Sequence, residues 1–197
     1  MTLPTEPEAE GEHAAGPSAK PRRTPPRLLT LAVVSAAVWG IDIKTKALAV
    51  TELEWQRPVR VLDGLVYLQV IRNPGAAFGM VTGMTWLLTL IAAAVVVAIV
   101  RVSGRLRSRG WAVALGLVLG GALGNLSDRL LRYPGIFRGW VVDMVSVLAP
   151  NGEVWPVFNA ADAAICTGGA LLVLLALLGI ELDGTRTRRE RGTGSDG

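Results

Sequence analysis

The chain has 197 residues, 51% of which are apolar, and a formal net charge of +4 at pH 7. The apolar residues are concentrated in four blocks between polar ends, and this distribution predicts an integral membrane protein. The basic residues flank these blocks, so they indicate membrane topology, and we expect no nucleic-acid binding. The only histidine, His13, lies in the polar N-terminal segment, which argues against histidine-based catalysis or metal binding.

Cys166 is the only cysteine in the chain. A single cysteine forms neither an internal disulfide nor a Cys-based zinc site. Because Cys166 lies inside the fourth apolar block, we interpret it as a small buried apolar residue. Acid–base chemistry near neutral pH must then come from carboxylate, lysine, tyrosine or thiol groups, and we expect neither a metal nor another cofactor.

Residues 1–27 are rich in Pro, Glu, Ala and Gly, a composition that predicts a disordered tail. The first apolar block follows at about 28–50. Arginines before it and Ala47-Leu48-Ala49 near its end also fit a cleavable signal peptide, so this block alone leaves both interpretations open. The three apolar blocks that follow favour a retained transmembrane helix.

The other blocks lie at about 84–100, 111–126 and 160–180, and each is long enough or nearly long enough to span a bilayer. The third carries glycines at four-residue spacing, which predicts close packing against a neighbouring helix. We therefore expect one four-helix transmembrane domain over residues 28–180, followed by a disordered tail at 181–197.

Residues 59–71 lie between the first two blocks and are rich in β-branched residues around Asp63-Gly64. This pattern predicts two short strands joined by a turn. The fold class is therefore an all-α membrane protein that carries a small sheet on one membrane surface.

Arginine is dense in the N-terminal tail, in the segment 101–110 and in the C-terminal tail. The positive-inside rule places these three segments in the cytoplasm, and four spans put them on one side of the membrane. Residues 51–83 and about 127–159 then face outward.

This topology brings several ionisable residues of the apolar blocks and outer loops to the outer membrane face, where each requires an explanation. The acidic ones are Asp42, Asp128, Asp143 and Asp162. Two carboxylates that lie close together cannot both ionise, so one holds a proton near neutral pH while the other acts as a base. The pattern predicts a two-carboxylate site that activates water.

Plain structural interpretations remain open for three of the four acids. Asp42 has Lys46 one helical turn away, which suits an intrahelical ion pair. Asp162 follows Asn159 at the spacing of a capping box, and Asp128 with Arg129 suits a helix end in the membrane interface. Asp143 stands between apolar residues and has no such interpretation.

Five motifs resemble, in order, those of bacterial lipoprotein signal peptidase over about residues 28–180. They are Asp42 to Lys46, Asn73-Pro74-Gly75-Ala76-Ala77-Phe78, Gly120 to Arg129 (GGALGNLSDR), Val141-Val142-Asp143-Met144 and Phe158-Asn159-Ala160-Ala161-Asp162. Two motifs depart slightly from the family pattern. The first has Ile43 after Asp42, and the fourth has the apolar Met144 as its last residue.

The resemblance implies a four-helix bundle with an outward β-cradle. It also implies an aspartic endopeptidase that cleaves diacylglyceryl-modified prolipoproteins before the lipid-modified cysteine. The implied catalytic pair is Asp143 and Asp162. The implied supporting residues are Asp42, Lys46, Asn73, Gly121, Asn125, Asp128, Arg129, Asn159 and Ala161.

The residues alone would allow Asp128 to replace Asp143 in the pair. The adjacent Arg129 favours a fully ionised, ion-paired Asp128, which is a poor proton shuttle. The apolar surroundings of Asp143 favour a raised pKa. Asn125 and Arg129 would then hold the substrate backbone or the oxyanion.

Three other classes compete with a peptidase. An ion-coupled transporter predicts inverted repeats and broken helices, and the sequence shows neither. A lipid-binding scaffold would need no paired acids with nearby amides. A metal-dependent lipid transferase would carry a denser aspartate cluster on one helix. We expect a protein of the bacterial cell membrane, monomeric, in contact with lipids, with both termini cytoplasmic and the site near the outer face.

Overall fold

The computed structural model describes residues 27–75 and 85–187, which form four long α-helices and a three-stranded sheet. All four helices are long and apolar enough to cross a membrane, so the predicted fold class is confirmed. The helices are α1 (Leu28–Leu53), α2 (Thr85–Ser103), α3 (Arg109–Leu131) and α4 (Ala160–Leu177), and the strands are β1 (Val59–Val61), β2 (Val66–Asn73) and β3 (Val141–Val147).

Helix α3 is the centre of the bundle, with α1 and α4 packed along it. A Cβ placed on Gly120 would lie 2.7 Å from the carbonyl oxygen of Ser35 in α1. A Cβ on Gly121 would lie 2.5 Å from the carbonyl oxygen of Ala161 in α4. Since neither position has room for a side chain, the glycines allow both neighbouring helices to approach α3, as predicted.

Helix α3 is longer at both ends than the apolar block that predicted it. At its N-terminus, Ser108 caps the helix by accepting a hydrogen bond from Trp111 N at 3.4 Å. At its C-terminus, Asp128 pairs with Arg132 one turn later, so the helix continues through charged residues. A prediction from hydropathy alone ends the helix too early, because hydropathy takes no account of ion pairs between charged residues.

The sheet has the order β1-β2-β3, and both pairs are antiparallel. The predicted hairpin at residues 59–71 is confirmed, with Asp63 and Gly64 both at positive φ in the connecting turn. The third strand was not predicted. It pairs Asp143 with Ile71 of β2, and therefore brings an acid from late in the chain to the predicted hairpin.

The chain after α4 folds back onto the turn between α2 and α3. The carbonyl of Leu182 accepts a hydrogen bond from Arg107 N at 3.0 Å, and the indole of Trp111 donates to the carbonyl of Ile180 at 2.7 Å. Ordered contacts therefore extend past the predicted domain boundary at residue 180. The last ten residues, and the predicted N-terminal tail except Arg27, lie outside the described residues.

Candidate active site

A buried ion pair on α1 forms one side of the candidate site. Asp42 and Lys46 are one helical turn apart and 0% and 1% exposed, and Lys46 Nζ lies 2.7 Å from Asp42 Oδ2. The other carboxylate oxygen of Asp42 accepts the backbone N–H of Ala161, at the start of α4, at 2.9 Å. A Cβ on Gly124 of α3 would collide with the Asp42 carboxylate. The predicted ion pair is therefore confirmed, and it also joins α1 to α4.

Asp128 on α3 belongs to the same buried network. Its carboxylate lies 3.0 Å from Lys46 Nζ, is also paired with Arg132, and accepts the backbone N–H of Val142 at 3.2 Å. The sequence predicted Arg129 as the ion-pair partner of Asp128, and this was wrong. Consecutive residues of a helix project their side chains in different directions, so Asp128 and Arg129 do not face each other. Asp128 is nevertheless ion-paired, which is the property that argued against its use as a proton shuttle.

Asn125 connects this network to Asp162. Its Oδ1 accepts a hydrogen bond from Lys46 Nζ at 2.9 Å, and its Nδ2 donates to Asp162 Oδ1 at 2.8 Å. Because lysine is only a donor, the contact with Lys46 directs the amide nitrogen of Asn125 toward the carboxylate. Asp162 is thus held as a hydrogen-bond acceptor.

Asp143 lies in the middle of β3 and is 3% exposed. One of its oxygens accepts from Asn73 Nδ2 at 2.8 Å and the other from Asn159 Nδ2 at 2.7 Å. Burial, and then the negative charge of Asp162, raise the pKa of Asp143 to about 7, although the two amide hydrogen bonds oppose the shift. This carboxyl group can therefore carry a proton near neutral pH.

Asn159 links the two aspartates directly. While its side chain donates to Asp143, its side-chain oxygen accepts from the backbone N–H of Asp162 at 3.0 Å. Its own backbone N–H donates to Asp162 Oδ2 at 3.2 Å. The predicted capping box at the start of α4 is confirmed, and the same residues also belong to the site.

A cavity of about 450 Å³ opens onto these groups, and we call it the active-site cavity. It contains both predicted catalytic acids together with Asn125 and Arg129. Its lining residues are Asn73, Gly75, Leu88, Asn125, Arg129, Val141, Asp143, Trp155, Pro156, Val157, Phe158, Asp162 and Cys166.

Arg129 is 8% exposed and lines this cavity. Its Nη1 atom is buried and has no hydrogen-bond partner among residues 27–75 and 85–187. A buried donor without a partner is costly, and a bound molecule, an ion or a water usually satisfies it. The donor is available to a molecule that enters the cavity.

Cys166 is exposed and lines the active-site cavity, one turn after Asp162 on α4. Its interpretation as a buried apolar residue was therefore wrong. An apolar block shows that a helix crosses the membrane, but not which face the helix turns toward a cavity. Its four-residue spacing from Asp162 was the signal that could have placed it there.

The cavity wall also contains residues that the sequence did not single out. Leu88 on α2 and the segment Trp155-Pro156-Val157 before α4 are among them. Their apolar character resembled ordinary membrane-facing sequence, so no single-residue signal marked them. Pro74 and Gly75 of the second motif are described, whereas Ala76-Ala77-Phe78 lie outside the described residues.

Helices α2 and α4 both pack against α3, but direct contact between them is at most slight. Leu88 and Cys166 line the cavity from these two helices. One turn deeper along α4, a Cβ on Gly169 would meet nothing within 4 Å. Since the two helices make little direct contact, the space between them beside Leu88 and Cys166 is open, and we call it the opening between α2 and α4.

No group of three or more His, Cys, Asp or Glu side chains suited to holding a metal ion occurs within the described parts of the chain. The arrangement itself provides a protonatable carboxyl at Asp143, a hydrogen-bonded carboxylate at Asp162, and an Arg129 donor that has no partner within the described part of the chain. Those three groups are the components required to activate water and to polarise a carbonyl.

The chain is similar to known proteins in both sequence and structure. The family model described as "Signal peptidase (SPase) II" matches residues 34–178. The lipoprotein signal peptidase of Rhodococcus jostii is 50% identical over 96% of this chain and 95% of its own length. That of Mycobacterium avium is 46% identical over 94% of this chain and 99% of its own length. A solved bacterial membrane enzyme superposes with a TM-score of 0.66 at 26% identity, covering 79% of this chain and 97% of that one.

Proposed function

The chain belongs to the signal peptidase II family, and from this premise we propose that it is an aspartic endopeptidase acting on diacylglyceryl-modified prolipoproteins. Family membership makes it a multi-pass cell-membrane peptidase that removes signal peptides from lipoproteins. The proposal adds the cleavage point, before the lipid-modified cysteine, and the catalytic pair, Asp143 and Asp162. The observation that carries it is that both acids line one cavity and are joined through Asn159.

The different surroundings of the two acids support different roles. Asp162 accepts hydrogen bonds from Asn125 and Asn159 and acts as the base that removes a proton from water. Asp143, whose pKa lies near 7, begins protonated and polarises the scissile carbonyl. It then gives its proton to the leaving amine. Transfer of the proton that Asp162 took from water to Asp143 restores the starting state of the pair.

Arg129 supports the developing negative charge in this proposal. Its Nη1 is a buried donor in the cavity that is free among the described residues, so it binds the substrate carbonyl or the oxyanion. Asn125 was expected to share this role, but its amide nitrogen already donates to Asp162. We therefore assign Asn125 to the positioning of Asp162 rather than to the substrate.

The opening between α2 and α4 supports lateral entry of the substrate. A lipid-modified prolipoprotein is anchored in the bilayer, so its cleavage site must reach the cavity from the side rather than from water. Leu88, Cys166 and the open space beside Gly169 form an apolar approach. All the site residues come from one chain, and we propose that the monomer is sufficient for activity.

The distribution of arginines supports an orientation in which the site faces outward. Arg101, Arg105, Arg107 and Arg109 lie around the turn between α2 and α3, at the end of the bundle away from the site. The orientation can be tested in a Cys166→Ser background. A membrane-impermeant maleimide should label Asp63→Cys in intact cells, whereas Arg105→Cys should react only after lysis. The reverse pattern would mean that the orientation is inverted.

The activity is tested by cleavage of a purified diacylglyceryl-modified prolipoprotein in detergent with EDTA present. We expect the wild type to cut before the modified cysteine. Asp143→Asn and Asp162→Asn should each reduce the rate by at least about 100-fold, the lower end of general acid–base contributions. The exposed Asp63, whose side chain makes no contact with the cavity, provides the matched control Asp63→Asn.

Two results would contradict the proposed mechanism. Full activity of either site variant would remove that acid from the pair, and Asp128 would become the next candidate. Loss of wild-type cleavage in EDTA, with recovery on adding a divalent metal, would indicate metal-dependent chemistry. Thermal unfolding of each variant establishes that a lost activity does not reflect a lost fold.

A further inference from the structure

Cys166 is a nucleophilic side chain in the active-site cavity that the proposed mechanism does not use. It is exposed, lines the same cavity as Asp143 and Asp162, and follows Asp162 by one helical turn. It also lies at the opening between α2 and α4, since Leu88 of α2 lines the same cavity. A group attached to its sulfur would project into the path of a substrate that enters laterally.

A second feature indicates that a small polar molecule can be held in the same cavity as this thiol. Arg129 lines the cavity, is more than nine-tenths buried, and has an Nη1 donor without a partner among the described residues. That N–H group can donate a hydrogen bond to a carbonyl, carboxylate or sulfonyl oxygen of a ligand. The cavity, at about 450 Å³, is large enough for such a ligand together with a reactive sulfur.

We propose that Cys166 is a thiol-modification site of the active-site cavity, which accepts small disulfides and related sulfur electrophiles that bear an acceptor oxygen. The Cys166 thiolate attacks one sulfur of the disulfide R–S–S–R. A protein–S–S–R bond forms, the S–S bond of the reagent breaks, and R–S⁻ leaves, with the proton of the thiol passing to solvent. The mixed disulfide obstructs the cavity and stops cleavage until a reducing thiol removes it.

This inference rests on the proposed function, because it requires the cavity to be the peptidase site. It also assigns a redox response to an enzyme whose chemistry needs no thiol. On the outer side of the membrane, disulfides persist because the environment is oxidising. A thiol at that position is therefore exposed to reagents that the cytoplasm would reduce.

The experiment uses the full-length wild type in detergent, treated with methyl or benzyl methanethiosulfonate. The chain has one cysteine, so intact-mass spectrometry reports modification of Cys166 alone. We expect a single adduct with either reagent. The benzyl adduct should reduce cleavage by at least tenfold and the methyl adduct by less, and dithiothreitol should restore both.

Two variants separate blockage of the cavity from general damage. Cys166→Ser should be insensitive to both reagents, so that its cleavage rate is the same before and after treatment. Cys166→Ser/Thr167→Cys places a thiol at the same depth on an exposed residue of α4 that does not line the cavity. We expect this double variant to be labelled without loss of activity.

The outcomes distinguish this inference from the proposed function. Wild type that is fully labelled with the benzyl group yet fully active, or that is not labelled while folded, would overturn the modification site. Equal inhibition of the Thr167→Cys variant would also overturn it. If unlabelled wild type does not cleave the prolipoprotein, the proposed function fails first, and the mass spectrum still reports whether the thiol reacts.

Discussion

Lys46 Nζ lies 2.9 Å from Oδ1 of Asn125, and this contact determines which end of the amide faces the catalytic cavity. Through Asn125 of α3, Lys46 of α1 thereby sets the hydrogen bonding of Asp162 at the start of α4. Asp162 is consequently held by a hydrogen-bonded chain that begins on another helix.

Asn125→Asp tests this relationship. The new carboxylate can still accept from Lys46, but it replaces the donor to Asp162 with a like charge. We expect the fold to persist and kcat to fall on the order of 100-fold. The measurement is steady-state cleavage together with thermal unfolding. Asn151→Asp, which adds the same charge at an exposed turn outside the cavity, should be fully active.

Lys46→Met tests the buried ion network. The substitution leaves Asp42 and Asp128 without the ammonium group that contacts both of them in the buried interior. Removing one partner of a buried ion pair costs about 3–5 kcal/mol, so we expect a large drop in Tm or failure to accumulate in the membrane. Lys44→Met, on the exposed face of the same helix, should have little effect. Equal stability of the two variants would mean that the network contributes little.

The pH dependence of cleavage should reflect Asp143. Because its pKa is raised to about 7, the proton required to polarise the carbonyl is present below that pH and is lost as the pH rises through it. We expect kcat/KM to decline on the alkaline side with a midpoint near pH 7.

A His13→Ala variant controls for the only imidazole in the chain. The decline of its kcat/KM at alkaline pH should match that of the wild type. Constant kcat/KM up to pH 9 would contradict the assignment of Asp143 as the protonated member of the pair. A decline that shifts in the His13 variant would assign the titration to the imidazole instead.

Gly121→Ala tests the contact between α3 and α4. The added Cβ would lie 2.5 Å from the carbonyl oxygen of Ala161 and 2.7 Å from Ile165 Cγ1, so α4 must move away from α3. Overpacking of this kind costs about 1–3 kcal/mol, and we expect both Tm and activity to fall.

Gly40→Ala is the matched control, because a Cβ at Gly40 meets nothing within 4 Å. Alanine is the better helix former by about 1 kcal/mol, so this control should be neutral or slightly stabilising. If both glycine variants behaved alike, close packing at Gly121 would not be required.

The sequence predicted the four spans, the hairpin and the candidate acids because each depends on local patterns of hydropathy or motif spacing. It did not predict that Asp143 lies on a third strand, since the pairing of Asp143 with Ile71 depends on residues far apart in the chain. The partners of Asp128 were likewise missed. Lys46 comes from another helix, and which neighbouring arginine forms the pair depends on helix orientation.

Cys166 shows the same limitation in another form. Its place in an apolar block correctly indicated a transmembrane helix, but burial depends on which helices pack together. Because α2 and α4 make at most slight direct contact, a residue between them is open rather than enclosed. Hydropathy does not contain that information.

The hydrogen bond from Ala161 N to Asp42 Oδ1 joins positions that are 119 residues apart. During biosynthesis the segment that carries Asp42 leaves the ribosome long before the segment that carries Asp162. The completed site therefore requires the final helix to enter the membrane and dock against the first. We therefore expect a chain that lacks α4 to lack the assembled site.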